Sequence, residues 1–479
     1  MTRRREKLVS ARRAAGFTQE SFAAALSVDR STVGRWECWE NEPLPYLWPR
    51  MAKLLEVSPA ELRAFISLRD EKPAAPELDP AFAWLDRRAG WEAGTARRRA
   101  AAAALAPGRR VGRSEAVGKL VRYYGSPPAE HRYYGANLGD VDVATSILCR
   151  SSWLEGAFPL TAEHDRLRLR LQGTESARPF DENAAIERLA AVAAGQVRIT
   201  DVPLYRLVDF EFGADSVRGA VRTASFVEYA LGVDRLEGEL SENRAGGAMP
   251  LRDTYLPDLS HVLDVDGRFC AGGVLALTAI ARPADPFRGG RDYVLLVQER
   301  SSRVVNGAGR LAVIPKAFHR PLADHRADAR IGATLRRELE EELFGRADVD
   351  NTAGPQLVAD PMHPTRLSEP MRWLTEAPGR LRMECTGFGF NLVSGNYEFA
   401  SLVVIEDEEF WPRFGGAVEA NWEAAGLRLY STLDDELISE LITDELWSNE
   451  GLFAFLQGIR RLREIGGKRV ALPTVELHS

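Results

Sequence analysis

Apolar residues recur at helical spacing over residues 17–36, near the start of the chain. They stand three or four positions apart, as on the buried sides of two helices: Phe22, Leu26, Val33 and Trp36. Thr18 precedes the first helix and is an N-cap candidate, because its hydroxyl can accept from the first unpaired backbone N–H groups. The pattern therefore predicts two short helices that pack against each other across a turn at residues 27–29.

The second predicted helix leaves a set of polar side chains on its outer side. These are Asp29, Arg30, Ser31, Thr32 and Arg35. Short polar and guanidinium groups of this kind read base edges and bind phosphates in DNA complexes. An ordinary amphipathic helical hairpin would show the same apolar spacing, so the pattern alone leaves both interpretations open.

Residues 8–62 resemble the helix-turn-helix domain of the lambda-repressor-like family, also called the Cro or XRE family. In that family the glutamine at the position of Gln19 holds a phosphate, and the first outward residues of the recognition helix, here Arg30 and Ser31, contact bases. Several repressors carry glutamine where this chain has Arg30, and arginine favours the N7 and O6 atoms of guanine. The resemblance implies a sequence-specific DNA-binding domain over residues 1–66.

The charge distribution agrees with DNA binding at one end of the chain. The net charge is −7, yet residues 1–66 hold eleven Lys and Arg against eight acids, and residues 86–113 hold eight Arg against two acids. A basic N-terminal region in an otherwise acidic chain is typical of a regulator that binds DNA through one end. The arginine cluster at residues 97–99 has two interpretations, a solvated helix face or an extension that binds phosphates.

A second candidate site lies in the helix predicted over residues 333–345. Glu338, Glu341 and Glu342 stand at i, i+3 and i+4, which places three carboxylates on one face. Like charges at this spacing cost about 0.2–0.5 kcal/mol per pair, so nearby arginines, solvent or a divalent metal must offset them. Oxygen-rich clusters suit Mg²⁺ or Mn²⁺, which would in turn bridge a diphosphate.

These residues resemble the second half of the Nudix signature, Gly-x5-Glu-x7-Arg-Glu-U-x-Glu-Glu-x-Gly-U. Residues 337–342 match it position by position, whereas the first glycine and the upstream glutamate of the signature fall on Ala323 and Ala329, and the closing glycine comes one residue late at Gly345. Three interpretations follow. The stretch is a solvated acidic helix, a Nudix-like domain over about residues 269–465 that binds a nucleotide-type ligand without turnover, or a working hydrolase.

Length and element order predict a multidomain chain, since 479 residues exceed what one core usually holds. The predicted parts are an all-α helix-turn-helix domain (1–66), a linker and basic helical segment (67–114), an α+β middle region (115–265) and a Nudix-like α/β sandwich (266–479). Within them we expect helices over 81–106, 183–194, 216–231 and 433–465, and strands over 197–212, 269–280, 293–298, 311–314, 386–392 and 397–405.

Two further patterns bear on the class of protein. The chain has no apolar stretch of about eighteen residues, and no hydrophobic segment follows the basic start at residues 1–5, so neither a membrane span nor a signal peptide is predicted. Four widely separated cysteines predict scattered reduced thiols rather than a zinc site: Cys38, Cys149, Cys270 and Cys385.

The sequence thus predicts a cytoplasmic, bacterial transcriptional regulator that binds double-stranded DNA as a homodimer and senses a small nucleotide-type effector. No cofactor is required, and Mg²⁺ is possible at Glu338, Glu341 and Glu342. The alternative is a Mg²⁺-dependent Nudix hydrolase of nucleoside diphosphate derivatives that carries a DNA-binding domain. An antitoxin-like partner module is a third class.

Overall fold

The computed structural model divides by its internal contacts into two units, Met1–Glu77 and Leu78–Ser479. The residues described are 5–26, 28, 30–38, 43, 47–55, 57–66, 82–83, 86–87, 90–103, 111–139, 141–171, 181–193, 199, 202–243, 247–286, 289–301, 307–344, 362–415, 418 and 424–478.

The first unit is helical in the part that the structure describes. Its helices are α1 (Glu6–Ala14), α2 (Gln19–Leu26), α3 (Arg30–Glu37), α4 (Trp48–Leu55) and α5 (Pro59–Ile66). They share one core, which includes Leu8, Phe22, Leu26, Val33, Trp36, Met51, Leu55, Leu62 and Ile66. The two helices predicted within residues 17–36 are confirmed as α2 and α3. Their four apolar positions are each at most 2% exposed.

The second unit alternates helices and strands. Its helices are α6 (Thr95–Ala103), α7 (Arg113–Tyr124), α8 (Glu182–Ala193), α9 (Phe226–Leu231), α10 (Arg235–Glu242), α11 (Pro250–Tyr255), α12 (Leu259–Leu263), α13 (Ile331–Glu338), α14 (Glu369–Glu376), α15 (Phe410–Phe414), α16 (Asp435–Thr443) and α17 (Asn449–Ile465).

The strands of this unit are β1 (His131–Leu138), β2 (Val141–Arg150), β3 (Phe158–Pro159), β4 (Asp165–Leu169), β5 (Pro203–Phe212), β6 (Val217–Ser225), β7 (Gly272–Arg282), β8 (Asp292–Arg300), β9 (Leu311–Val313), β10 (Lys316–Phe318), β11 (Leu381–Asn391), β12 (Tyr397–Ile405), β13 (Ala424–Ser431) and β14 (Glu476–Leu477).

Most of these strands join one mixed sheet. Among the described residues it has eleven strands, with the main order β13-β8-β7-β12-β11-β2-β1-β14, and β3, β9 and β10 pair at its sides. The central pair β7 and β12 is parallel, whereas the other pairs of the sheet are antiparallel. Both central strands are buried along their whole length, since helix α17 lies across one face of the sheet. Strands on both sides of residues 265/266, which we predicted to separate two domains, contribute to this sheet.

The approach of α17 to the sheet depends on one glycine. A Cβ atom at Gly458 would lie 2.7 Å from the Cβ of Leu277 on β7, closer than real contacts allow. Most of α17 is buried, and its fully covered residues include Leu452, Phe453 and Leu456. The helix therefore belongs to the core of the second unit.

A smaller sheet with the order β4-β6-β5 packs on the large one. Aromatic side chains connect the two sheets, because Phe210 of β5 lies 4.7 Å from Phe388 of β11 between ring centroids, and Trp153 lies 5.2 Å from the same ring. Such ring pairs add to the stabilisation that apolar burial already supplies. This aromatic cluster fixes the smaller sheet against the larger one.

Two predicted helices differ from the structure. Residues 217–225 form strand β6, not the start of a helix, because they pair with β4 on one side and β5 on the other. The helix expected over residues 81–106 is interrupted, and α6 begins only at Thr95. Gly90 and Gly94 have φ values of 64° and 82°, which end a right-handed helix before that point.

Asp165 connects the smaller sheet to the carboxylate-bearing region. It is 1% exposed, and its Oδ2 accepts from the backbone N–H of Gly332 in the first turn of α13 at 3.0 Å. Burial raises the pKa of the Asp165 carboxyl to about 6, although that hydrogen bond acts in the opposite direction. Ionisation of Asp165 is therefore less favourable in the folded chain than in the unfolded chain.

We expect the substitution Asp165→Asn to raise the free energy of unfolding at neutral pH by about 2–3 kcal/mol, since each pKa unit corresponds to about 1.4 kcal/mol. The protonated Asp165 carboxyl is favoured by folding, and its contribution to stability is complete below 3.8, its pKa in the unfolded chain. This contribution is lost as the pH rises through about 6, where the carboxyl ionises in the folded chain. Urea denaturation across this pH range measures the difference, with the exposed Asp215→Asn as control. A stability gain of the Asp165→Asn variant that does not grow with pH would contradict the assignment.

Candidate functional site

Helices α2 and α3 pack through the predicted apolar positions, and hydrogen bonds fix the start of α2. The Oγ1 of Thr18 accepts from the backbone N–H of Ser21 at 3.0 Å, while the Oγ of Ser21 accepts from the N–H of Thr18 at 2.9 Å. This reciprocal pair satisfies backbone donors at the helix start, as capping boxes do. The prediction of Thr18 as an N-cap is confirmed.

The outer side of α3 carries three of the predicted polar residues. Arg30 and Arg35 are exposed, and Thr32 is half-buried and accepts from the guanidinium of Arg35 at 3.3 Å. The Arg30 side chain is 65% exposed, and its Nε lies 3.5 Å from a carboxylate oxygen of Glu20, which is also exposed. Exposed ion pairs contribute little stability, so Arg30 can leave Glu20 at small cost.

Two other predicted residues of this surface are not placed. Asp29 lies outside the described residues, and the backbone of Ser31 belongs to α3 while its side chain lies outside them. The described part of the surface is therefore Arg30, Thr32 and Arg35, with Gln19 on the neighbouring helix.

Gln19 takes part in a buried network at the opposite end of α3. Its Nε2 donates to Oε2 of Glu37 at 2.7 Å, and Oε1 of Glu37 accepts from Nε of Arg12 at 2.6 Å. Glu37 is 2% exposed and Arg12 is 5% exposed. Since an amide carries two N–H donors, this bond orients Gln19 without consuming its capacity to hold a phosphate.

The network connects three helices. Arg12 also donates to the backbone oxygen of Phe17 at 2.6 Å, and Arg5 donates to the backbone oxygen of Trp36 at 2.7 Å. A carboxylate in the last turn of a helix faces the negative end of the helix dipole, so Glu37 depends on its cationic and amide partners. Sequence reasoning missed this role. The available signal in the sequence was the position of Glu37, an acid that follows the apolar Trp36 at the end of a short predicted helix.

The carboxylate helix differs from its prediction. Helix α13 ends at Glu338, and Leu339–Leu343 continue as a π-helical turn. Glu338, Glu341 and Glu342 are 5%, 4% and 1% exposed, so the interpretation as a solvated acidic face is wrong.

Each of these carboxylates has a protein partner. Glu338 pairs with the guanidinium of Arg337 at 2.9 Å, and Glu341 lies 3.5 Å from that of Arg320. Glu342 accepts from the backbone N–H of Lys316 at 2.9 Å. Among the residues that the structure describes, no group of three or more His, Cys, Asp or Glu side chains is arranged to hold a metal ion. These contacts hold the three carboxylates within the protein, and Mg²⁺ at Glu338, Glu341 and Glu342 stays a prediction.

A small polar cavity lies elsewhere in the second unit, between α7, α10 and the start of α17. It measures about 30 Å³, and charged or polar residues dominate its lining, including Arg113, Glu237, Arg310, Asn391 and Glu450. Burial raises the pKa of Glu237, and the neighbouring Asp234 and Glu450 carboxylates add to this rise. One water needs roughly 10–15 Å³ of such space, so the cavity is large enough for water and too small for a nucleotide.

Comparison with known proteins identifies the first unit. A helix-turn-helix family model matches residues 8–62, which run from α1 into α5. No curated protein matches the chain. Residues 8–62 are therefore a helix-turn-helix domain of the Cro/XRE type, which supports a DNA-binding transcription regulator. The match ends far from residues 337–342, and the resemblance of those residues to the Nudix signature stays a prediction.

Within the described ranges, no helix has both the length and the apolar character needed to cross a bilayer.

We expect the substitution Glu37→Ala to destabilise the first unit by about 3–5 kcal/mol, because it leaves the buried Arg12 guanidinium without its carboxylate. Hydrogen exchange of the α3 amides in the full chain measures the local opening free energy. Glu20→Ala is the matched control, since it removes an exposed carboxylate from the same domain and should cost less than about 1 kcal/mol. Equal exchange in the two variants would show that the network does not hold α3.

Proposed function

We propose that the chain is a sequence-specific transcriptional regulator whose helix α3 enters the major groove of an operator. The exposure of the Arg30 side chain at the first turn of α3 carries this proposal. Residues at the start of a recognition helix contact base edges in helix-turn-helix complexes. An arginine in this place donates two hydrogen bonds to the N7 and O6 atoms of guanine.

The other surface residues take supporting roles in this proposal. Arg35 and Thr32 lie further along the same exposed side of α3 and contact phosphates or neighbouring bases. Gln19 lies at the start of α2 and holds a phosphate with the amide group that Glu37 orients. Asp29 and Ser31 complete the set by their place in the sequence.

The regulator acts as a homodimer in this proposal. A single domain of this size covers only about 600–1,000 Å² of protein surface on DNA, which limits its affinity. Two copies that read half-sites one helical turn apart, centre to centre, double the contacts and give the operator two-fold symmetry. The chain acts in the cytoplasm of a bacterium.

The second unit is the regulatory part. An effector that binds better to one arrangement of the dimer changes operator affinity by its differential binding. The nucleotide-type character of the effector follows from the resemblance of residues 337–342 to the Nudix signature. Hydrolysis is not proposed, since Ala323 and Ala329 stand where the signature has its first glycine and its upstream glutamate.

The substitution Arg30→Ala should weaken operator binding by about 1–3 kcal/mol and relax the preference at one guanine per half-site. Operators are first obtained by selecting duplexes on the wild-type chain, and affinities are then measured by fluorescence anisotropy on the selected duplex and on a shuffled one. Glu20→Ala, which removes the exposed partner of Arg30, serves as control and should retain the preference. An Arg30→Ala variant with unchanged discrimination would overturn the assignment.

The effector proposal predicts that at least one of ADP-ribose, NAD and the nucleoside triphosphates shifts operator affinity, typically by about 5–150-fold, while the ligand stays intact. Anisotropy titrations in the presence of each compound measure the shift, and chromatography of the mixture checks for products. A panel that changes neither operator affinity nor thermal stability would contradict a nucleotide-type effector.

A further inference from the structure

Helix α6 presents an arginine-rich side to solvent because of how its other side packs. Ala96 and Ala100 are 0% and 3% exposed, and they contact a small apolar cluster with Ala185, Ile186 and Ala190 of α8. Alanines four residues apart bring the two helices close together. The residues between them, Arg97, Arg98 and Arg99, are consequently exposed.

The acidic residue that directly precedes Arg87 is buried and caps α6. The Asp86 carboxylate is buried, and its two oxygens accept from the backbone N–H groups of Gly94 and Ala96 at 2.7 Å each. This carboxylate stabilises the start of α6 and is directed inward. Arg87 is exposed beside it, so four arginines face solvent in the described part of this surface, where the exposed Glu92 and the half-buried Asp181 and Glu182 are the nearby acids.

Aromatic side chains support two of the four guanidinium groups. Arg99 lies over the Trp91 ring at 4.2 Å and donates to the Asn183 side chain at 2.8 Å, while Arg97 lies over the Phe82 ring at 5.7 Å. A guanidinium stacked on a ring keeps its N–H edges directed outward. Arg99 thereby covers one face of the Trp91 ring, and Arg97 covers one face of the Phe82 ring.

We propose that Arg87, Arg97, Arg98 and Arg99, here called the α6 arginine surface, bind the phosphate backbone of duplex DNA. This inference rests on the proposed function, because duplex DNA is also the partner proposed for α3, and the α6 arginine surface would bind it independently of base sequence. Charge complementarity supports it, since the surface is cationic in a chain of net charge −7. Because a small helix-turn-helix domain makes few DNA contacts, additional phosphate contacts would raise its affinity substantially.

Phosphate groups also occur in free nucleotides, and the arrangement favours DNA. The exposed arginines lie along a helix and beside it, with the cleft of about 290 Å³ between Phe82, Trp91, Arg87 and Arg97 open to solvent. Nucleotide pockets enclose most of their ligand and offer apolar faces to the base. Duplex backbone requires only cations spaced along an open surface.

The test is the salt dependence of DNA binding by the full-length chain. A variant with Arg87→Gln, Arg97→Gln and Arg98→Gln is compared with the wild type on a random-sequence duplex over a series of KCl concentrations. Each lost phosphate contact flattens the slope of log K against log salt by about 0.9, so the triple variant should be flatter by roughly 2–3. The proposal is overturned if the slope does not change.

A matched variant controls for the loss of net charge. Arg168→Gln, Arg218→Gln and Arg326→Gln remove three exposed arginines elsewhere in the same unit, and this variant should keep the wild-type slope. Thermal melting checks that both triple variants fold. If the first does not, Arg98→Gln alone replaces it, with an expected change of about 0.9. Arg98 is exposed and donates to the Thr95 hydroxyl of its own helix, so its substitution should leave the fold intact.

The outcomes separate this inference from the proposed function. If the triple variant shows a flatter slope of log K against log salt on random DNA and keeps the operator preference, the result supports phosphate binding by the α6 arginine surface. An unchanged slope beside an Arg30-dependent preference refutes this inference alone, whereas a wild-type chain that binds no duplex refutes both. Stabilisation of the wild type but not the triple variant by ATP, together with an unchanged DNA slope, would assign the surface to a free nucleotide and overturn the proposal.

Discussion

The buried carboxylate of Glu37 is the constraint on which the proposed DNA-reading surface depends. It lies at the end of α3 where the helix dipole disfavours it, and removal from water makes it costly unless charge and hydrogen bonds compensate. Arg12 from α1 and Gln19 from α2 provide that compensation. A helix of eight residues is not stable alone. Its position, and with it the direction of Arg30, is therefore set by its neighbours.

The same rule governs the larger unit and changes how its acidic helix is interpreted. Glu338 and Glu341 are buried beside Arg337 and Arg320, as Glu37 is buried beside Arg12. The Glu341–Arg320 pair connects two segments of the chain, whereas Glu338 is paired with its immediate neighbour Arg337. Both units thus use buried ion pairs to hold segments of the chain together. The exposed arginines are the charges that a polyanion can reach.

The sequence pattern predicted the features that depend on residues close together in the chain. Helices α2 and α3 followed from apolar spacing, and Thr18 from the chemistry of capping. The Glu37 carboxylate contacts Gln19, which is 18 positions away in the sequence, and Arg12, which is 25 positions away. No rule of local spacing connects residues so far apart. Strand β6 was missed because Val217 and Val221 stand four residues apart, as on a helix, while its conformation is decided by pairing with β4 and β5. Burial of the acidic helix likewise depends on distant partners.

The central claim is that the first turn of α3 reads guanine in the major groove through Arg30. Methylation interference on a selected operator tests it most directly, because a methyl group on guanine N7 blocks the atom that arginine contacts. The account predicts one guanine per half-site whose methylation prevents binding of the wild type but not of the Arg30→Ala variant. Interference confined to minor-groove positions, or identical patterns for the two proteins, would contradict it.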